Sequence, residues 1–135
     1  MVVVKGLSVN YMVKTPVVSV IIAAYQAPNY LKQAIESVQS QTFRDYEIIV
    51  VDDCSGEEYT SQYYLPEEAT LICHKERYGA PAAPRNTGIR AARGKYVAFL
   101  DHDDVWLPDK LAVQVQALED NPCLLYTSPS PRDRS

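Results

Sequence analysis

Residues Val17–Ala24 read "VVSVIIAA", an almost unbroken apolar run rich in β-branched side chains. A run of this kind offers no face to water, so it suits a strand covered on both sides, as in a parallel sheet lying between helices. Working outward, "APNYLKQAIESVQSQ" spaces Leu31, Ala34, Ile35 and Val38 into one apolar helical stripe, with Asn29 placed to cap the start. "YEIIVVDD" (Tyr46–Asp53) repeats the buried strand. The polar, Tyr-rich stretch Ser55–Glu68 is expected to hold a short helix and a loop, and "ATLICHK" (Ala69–Lys75) a third strand. A second helix is predicted over Ala82–Arg93, with Pro84 in its first turn and Gly94 as its stop. "KYVAFLD" (Lys95–Asp101) reads as the fourth strand. Pro108 then starts a helix with Leu111, Val115 and Leu118 as its core stripe, ending near Asn121 and Pro122. Strands alternating with helices imply right-handed crossovers and an α/β fold of three layers, α/β/α, around a mainly parallel sheet.

Composition agrees with one globular domain. The 135 residues are 47% hydrophobic and carry a formal net charge of -4, enough apolar matter for a core. No Lys/Arg run forms a stripe, which argues against nucleic acid or an anionic membrane as partner. No apolar run approaches the roughly 20 residues of a membrane helix, and the N-terminus lacks the order of a secretory signal. The expected location is cytoplasmic, in solution or at the inner face of the membrane. Three cysteines, Cys54, Cys73 and Cys123, are odd in number and lack the close pairing of a zinc site, so reduced thiols are expected.

Both ends break the pattern. "CLLYTSPSPRD", from Cys123, back-translates into codons that resemble a sequencing-library transposase adapter read in one frame, so residues 123–135 are read as an adapter-derived tail and 17–122 as the native domain. The alternative is a true strand, "CLLYT", with a loose end. Residues 1–16 are read as a leader. They are either upstream sequence translated ahead of a second start at Met12 or a genuine N-terminal strand.

In open parallel sheets ligands bind beyond the carboxyl ends of the strands, where neighbouring loops diverge. At those ends this sequence collects Ala24-Tyr25-Gln26, Asp52-Asp53 and the cluster Asp101, Asp103, Asp104. Carboxylates packed this closely suit Mg²⁺ or Mn²⁺, hard cations that take one or two protein carboxylates and fill the rest of their shell with water and phosphate oxygens; they also suit turn formation ahead of the Pro108 helix. Asp53 could accept hydrogen bonds from a ribose or base, or make an Asx turn with Ser55. Tyr25 could stack on a base or line the top of the core. Arg85 and Asn86, near a helix N-terminus, could assist a phosphate or stabilise the loop. His102 reads as a turn residue and Trp106 as packing. Phosphate-binding P-loops, G-x-G-x-x-G, G-x-S-x-G and His-x-x-x-His patterns are all missing.

"VSVIIAAYQ", "SVQSQTFRDYEIIVVDDCS", "PRNTGIRAARGKYVAFLDHDD" and "VWLPDKLAVQV" resemble, in order and spacing, the N-terminal half of family 2 glycosyltransferases, inverting enzymes with a GT-A fold. The resemblance spans about Val17 to Pro122. It implies that Tyr25 and Asp53 contact the nucleotide base, with Ala23 also in the substrate-binding set. It further implies that Asp103 and Asp104 end a D-x-D motif, Asp103 near the ribose and Asp104 on the metal, with Asp103 as its neighbour. The implied donor is a nucleotide-sugar, UDP-linked although other nucleotides occur in such enzymes, and the implied reaction is hexosyl transfer to an acceptor hydroxyl of a glycan, lipid or protein in polysaccharide biosynthesis. Departures from the family pattern are Ala23, Ala24 and Gln26 around Tyr25, Arg77 where Asn is common, and Pro84 where Ala is common. The general base that must deprotonate the acceptor lies, in this family, beyond Pro122; Asp133, in the tail, does not replace it. The expectation is therefore a donor-binding part that does not turn over by itself. A stand-alone nucleotide- and metal-binding module without catalysis is the alternative, and an Asp-phosphoacceptor regulatory domain, which also combines a parallel sheet with Mg²⁺, is a remoter one.

Overall fold

The computed structural model describes residues 2–4 and 15–121; the tail from Cys123 and most of the leader lie outside the described residues. Strands β1 (Val2–Val4), β2 (Val18–Ala24), β3 (Tyr46–Asp52), β4 (Ala69–Cys73) and β5 (Tyr96–Asp101) alternate, after β1, with helices α1 (Pro28–Gln39), α2 (Glu57–Thr60), α3 (Ala82–Ala91) and α4 (Lys110–Asp120). They form one sheet in the order β1-β5-β2-β3-β4. The four strands β2 to β5 run parallel, and β1 joins β5 antiparallel. The mainly parallel sheet expected from the sequence is the one observed.

Each central strand is buried on both faces because both faces carry helices. On one face Val18, Val20, Ile22, Ile48 and Val50 meet Leu31, Ala34, Ile35 and Val38 of α1 and Leu111, Val115 and Leu118 of α4, with Trp106 in the same cluster. On the other, Ile21, Ile49, Val51 and Val97 meet α3 and Ala92. Helix α3 lies so close that a Cβ on Gly88 would come within 2.4 Å of Ile21 Cγ2.

Three local expectations change. Helix α1 starts one residue ahead of Asn29: Pro28, whose fixed φ suits a first helical position, takes that place and Ala27 precedes it without a side-chain cap. Gly94 does not terminate α3, which has already ended at Ala91 with Ala92 extended; a Cβ on Gly94 would lie 2.6 Å from the Ser19 backbone nitrogen, so it is the close approach to β2 that demands glycine. Pro108 sits in the turn before α4, whose N-cap position is Asp109. The Leu111 N–H is satisfied from elsewhere, donating 3.0 Å to Oε1 of the buried Gln41, whose Nε2 donates 2.8 Å to the Leu107 carbonyl. Gln41 thereby fastens the end of α1 to the start of α4.

Candidate functional site

The parallel register puts the carboxyl ends of three strands side by side, pairing Ala23 with Asp101 and Ala24 with Asp52. Just beyond them opens a cleft of about 300 Å³ walled by Tyr25, Asp53, Arg77, Asp101, His102 and Asp103, with Ala23 and Ala24 at its floor. Tyr25, Asp53, Asp103 and Ala23, placed together by the sequence, do share this cleft.

The metal candidates lie at one side of it. Carboxylate oxygens from Asp101, Asp103 and Asp104 all fall within 4.8 Å of one another. Three hard oxygen donors that close fit an octahedral Mg²⁺ or Mn²⁺, whose ligands stand about 2.0–2.1 Å from the ion. Two cations moderate the repulsion: Arg85 NH2 is 3.9 Å from Asp101 Oδ1, and Lys110, almost fully buried, feels Asp104. Burial lowers the Lys110 pKa and Asp104 acts against that shift without cancelling it. Within the loop, the Asp104 N–H donates 3.0 Å to the Asp101 carbonyl, and His102 Nδ1–H donates 3.0 Å to the Ala23 carbonyl, tying the acidic loop to β2.

Asp52 and Asp53 separate, as adjacent residues leaving a strand must. The Asx turn belongs to Asp52: fully buried, it takes the Ser55 N–H at 2.7 Å, the Ser55 hydroxyl at 2.6 Å and the Tyr63 hydroxyl. Burial and then Asp52 push the Tyr63 phenol well above its usual range. Ser55 Oγ also accepts the Gln26 N–H at 2.8 Å, joining the loops after β2 and β3. Asp53 faces the cleft and makes no turn with Ser55. Its Oδ1 is 3.0 Å from His74 Nδ1 and accepts the Tyr78 N–H at 3.1 Å, while Oδ2 accepts the Gly79 N–H at 3.0 Å. Burial raises its pKa, but the His74 bond and the two amides outweigh burial and hold the carboxyl below its ordinary value.

Arg77 caps the cleft, its guanidinium 4.0 Å from the Tyr25 ring centre, a cation–π stack across the opening. Arg85 stands nearby over Phe99. Asn86 is elsewhere: it lines a second depression with His74, Tyr78, Thr87 and Arg90. Trp106 is packed in the core. Sequence reasoning missed His74, a lone histidine just past an edge strand with no spacing to mark it. The signal lies in the register, since Asp52 pairs with Cys73 and the next residues on each chain are therefore neighbours.

The signature described as Glycosyl transferase family 2 matches residues 19–133. The chain belongs to that family. Among relatives, the UDP-Glc:alpha-D-GlcNAc-diphosphoundecaprenol beta-1,3-glucosyltransferase WfaP of Escherichia coli is 38% identical over 103 residues, 76% of this chain and 41% of its own length. The mannosyltransferase PcManGT of Pyrobaculum calidifontis, solved with GDP-Man and Mn²⁺, superposes with a TM-score of 0.67 and 27% identity over 80% of this chain and 34% of its own. S. aureus TarS, residues 1–349 with UDP-GlcNAc, gives a TM-score of 0.66 and 26% identity over 78% of this chain and 32% of its own. The family 2 chain described here thus spans less than half the length of these relatives. Its parallel α/β sheet is the GT-A arrangement of these glycosyltransferases. No helix among its described residues is long and apolar enough to cross a membrane.

Proposed function

We infer that this family 2 domain holds the nucleotide-sugar donor, UDP-linked, for an inverting, metal-dependent transfer of a hexosyl group to an acceptor hydroxyl. The observation carrying this reading is the carboxylate trio Asp101, Asp103 and Asp104 at the edge of a cleft whose other wall is Tyr25 and Asp53. Asp104 and Asp103 would hold Mn²⁺ or Mg²⁺, with Asp101 in reach. What the cation supplies when bound is neutralisation of the charge that develops on the departing diphosphate.

The chain's own groups divide the remaining work. The Tyr25 ring offers a stacking face once Arg77 moves aside or sandwiches the base. An ionised carboxylate has about four lone-pair directions; Asp53 spends three on His74, Tyr78 and Gly79, leaving an acceptor for a base N–H of the kind uracil presents. Asp103, more exposed than Asp104, is available to ribose hydroxyls. Arg85, above Asp101, is within range of a diphosphate oxygen gathered there. The general base for the acceptor is assigned to sequence beyond Pro122, so the described domain alone binds without transferring. Support for a UDP-sugar comes from WfaP, a UDP-Glc glucosyltransferase, and from TarS, solved with UDP-GlcNAc; PcManGT, solved with GDP-Man, stands for the GDP-linked alternative.

Calorimetric titration with UDP-glucose tests the reading. Binding with Mn²⁺ that weakens at least about tenfold on chelation, and again in Asp104→Ala, is expected. Equal binding with and without the metal would remove the cation from the assignment.

A further inference from the structure

His74 sits where both ring nitrogens meet acceptors. Thr87 Oγ1 gives its only proton to the Ala83 carbonyl at 3.1 Å, so toward His74 Nε2, 2.8 Å away, it has only a lone pair to offer. Its other lone pair takes Arg90 NH2 at 3.3 Å. On the opposite side Nδ1 faces Asp53 Oδ1, a carboxylate that already receives two backbone amides and carries no proton to share. A neutral imidazole satisfies one of these contacts and opposes a lone pair to the other; the imidazolium satisfies both. The side chains of His74 and Asp53 are only 9% and 10% exposed, so the pair is shielded from water.

We propose that His74, carried as an imidazolium between Asp53 and Thr87, is the positioning residue of the cleft, fixing Asp53 and through it the Arg77–Gly79 loop that closes over Tyr25. The chain of contacts is continuous. Thr87 anchors His74 to α3, His74 orients Asp53, Asp53 gathers the Tyr78 and Gly79 amides, and the loop so held carries Arg77 onto Tyr25. The edge of the Tyr78 ring against the imidazole, centres 5.0 Å apart, closes the group. Gly79 serves this turn with φ +74, a conformation other residues adopt only under strain. Asp53, Tyr78 and Arg90 are the titratable and charged groups facing His74.

That loop covers the donor cleft, so the consequence for ligand binding rests on the donor-binding reading, whereas the consequence for the loop does not. The first measurement is therefore ligand-free: ¹⁵N shifts of the His74 ring and amide exchange of Tyr78 and Gly79 as pH is raised. Both ring nitrogens should carry the imidazolium signature, and as it is lost the protection of the two amides, taken relative to the intrinsic exchange rate at each pH, should fall about tenfold while that of Ile49 and Val50 holds, the fold-change of one charge-assisted hydrogen bond. The second is UDP-glucose affinity with Mn²⁺, chosen because a sugar diphosphate diester does not itself titrate near neutrality. Affinity should fall with the same pH dependence in the native chain and be flat and weaker in His74→Gln. A His74 ring that stays neutral with one fixed tautomer, or Tyr78 and Gly79 amides indifferent to its deprotonation, overturns the proposal. Amides that respond while UDP-glucose fails to bind at any pH leave His74 in its role and overturn the donor assignment instead.

Discussion

The two ends of the same sheet carry their acids in different arrangements. At the amino end, Glu47 accepts the Ser19 hydroxyl, the Arg93 N–H at 2.8 Å and the Arg93 side chain at 3.1 Å, and Ser19 accepts the Gly94 N–H at 2.8 Å. Every member of that set finds its partner inside the chain. At the carboxyl end Asp52 and Asp53 are satisfied within the chain too, but the carboxylates of Asp101, Asp103 and Asp104 gather within 4.8 Å of one another beside a cleft, with Arg85 3.9 Å from Asp101 and Lys110 near Asp104. One arrangement locks strands together; the other leaves negative charge concentrated at a cleft. A structural end can be recognised by its closure, and a binding end by carboxylates brought together at the mouth of a cleft.

Breaking the closed end should cost the most. Gly94→Ala drives a methyl against the Ser19 backbone, which cannot yield as a side chain would, and should lower the urea-unfolding free energy by about 3 kcal/mol or more. Glu47→Ala strands the Ser19 and Arg93 donors and should cost about 3 kcal/mol in the same experiment. The open end should respond in binding instead of stability: Asp103→Asn, at an exposed position, is expected to change unfolding by no more than about 0.5 kcal/mol yet weaken Mn²⁺-dependent UDP-glucose binding about tenfold. A large stability loss there would erase the distinction between the two ends.

Acid sharpens the contrast further. Because the folded Asp53 carboxyl lies below its unfolded value of 3.8, its stabilising contribution is complete above that value and is lost as pH falls through the folded one. Unfolding followed from about pH 5 down to about pH 2 should therefore show an acid limb that flattens in Asp53→Asn. A small gain in stability is expected at Cys54, a non-glycine residue held at φ 64 just past β3. Cys54→Gly should raise stability by about 0.5–1 kcal/mol, measurable as a shift of the urea midpoint.

Much of this was legible in residue order. Continuous β-branched runs with no polar face admit few readings other than buried parallel strands, and the Leu31-Ala34-Ile35-Val38 and Leu111-Val115-Leu118 spacings fixed which helical faces pack. The cleft followed, because a parallel sheet delivers all its carboxyl ends to one edge. What escaped depends on direction and on contacts across the chain. Asp52 and Asp53 are chemically identical neighbours, and which one meets Ser55 depends on the pleat at which β3 ends. Gly94 reads as a helix stop from its position in the sequence, whereas the reason for it, Ser19, lies on a strand 75 residues away. His74 acquires meaning only when β4 is aligned beside β3, a register that no spacing within either strand specifies. Asn86, grouped with Arg85 by adjacency, points into a different depression because successive helical residues diverge by about 100°.

Ser55 Oγ has a consequence for redesign of the cleft. One hydroxyl receives the Gln26 amide from the loop after β2 and gives its proton to Asp52 at the end of β3, with the Tyr63 hydroxyl 3.2 Å away. Neither loop can be exchanged for that of a relative as an independent cassette, because a graft that shifts the backbone at Gln26, whose φ is 50, moves the N–H that holds Ser55 and so unfastens the segment following Asp53. Transplants that carry both loops and Tyr63 together should express and fold where single-loop chimaeras do not, so the unit that changes specificity here is a pair of segments joined by one oxygen atom.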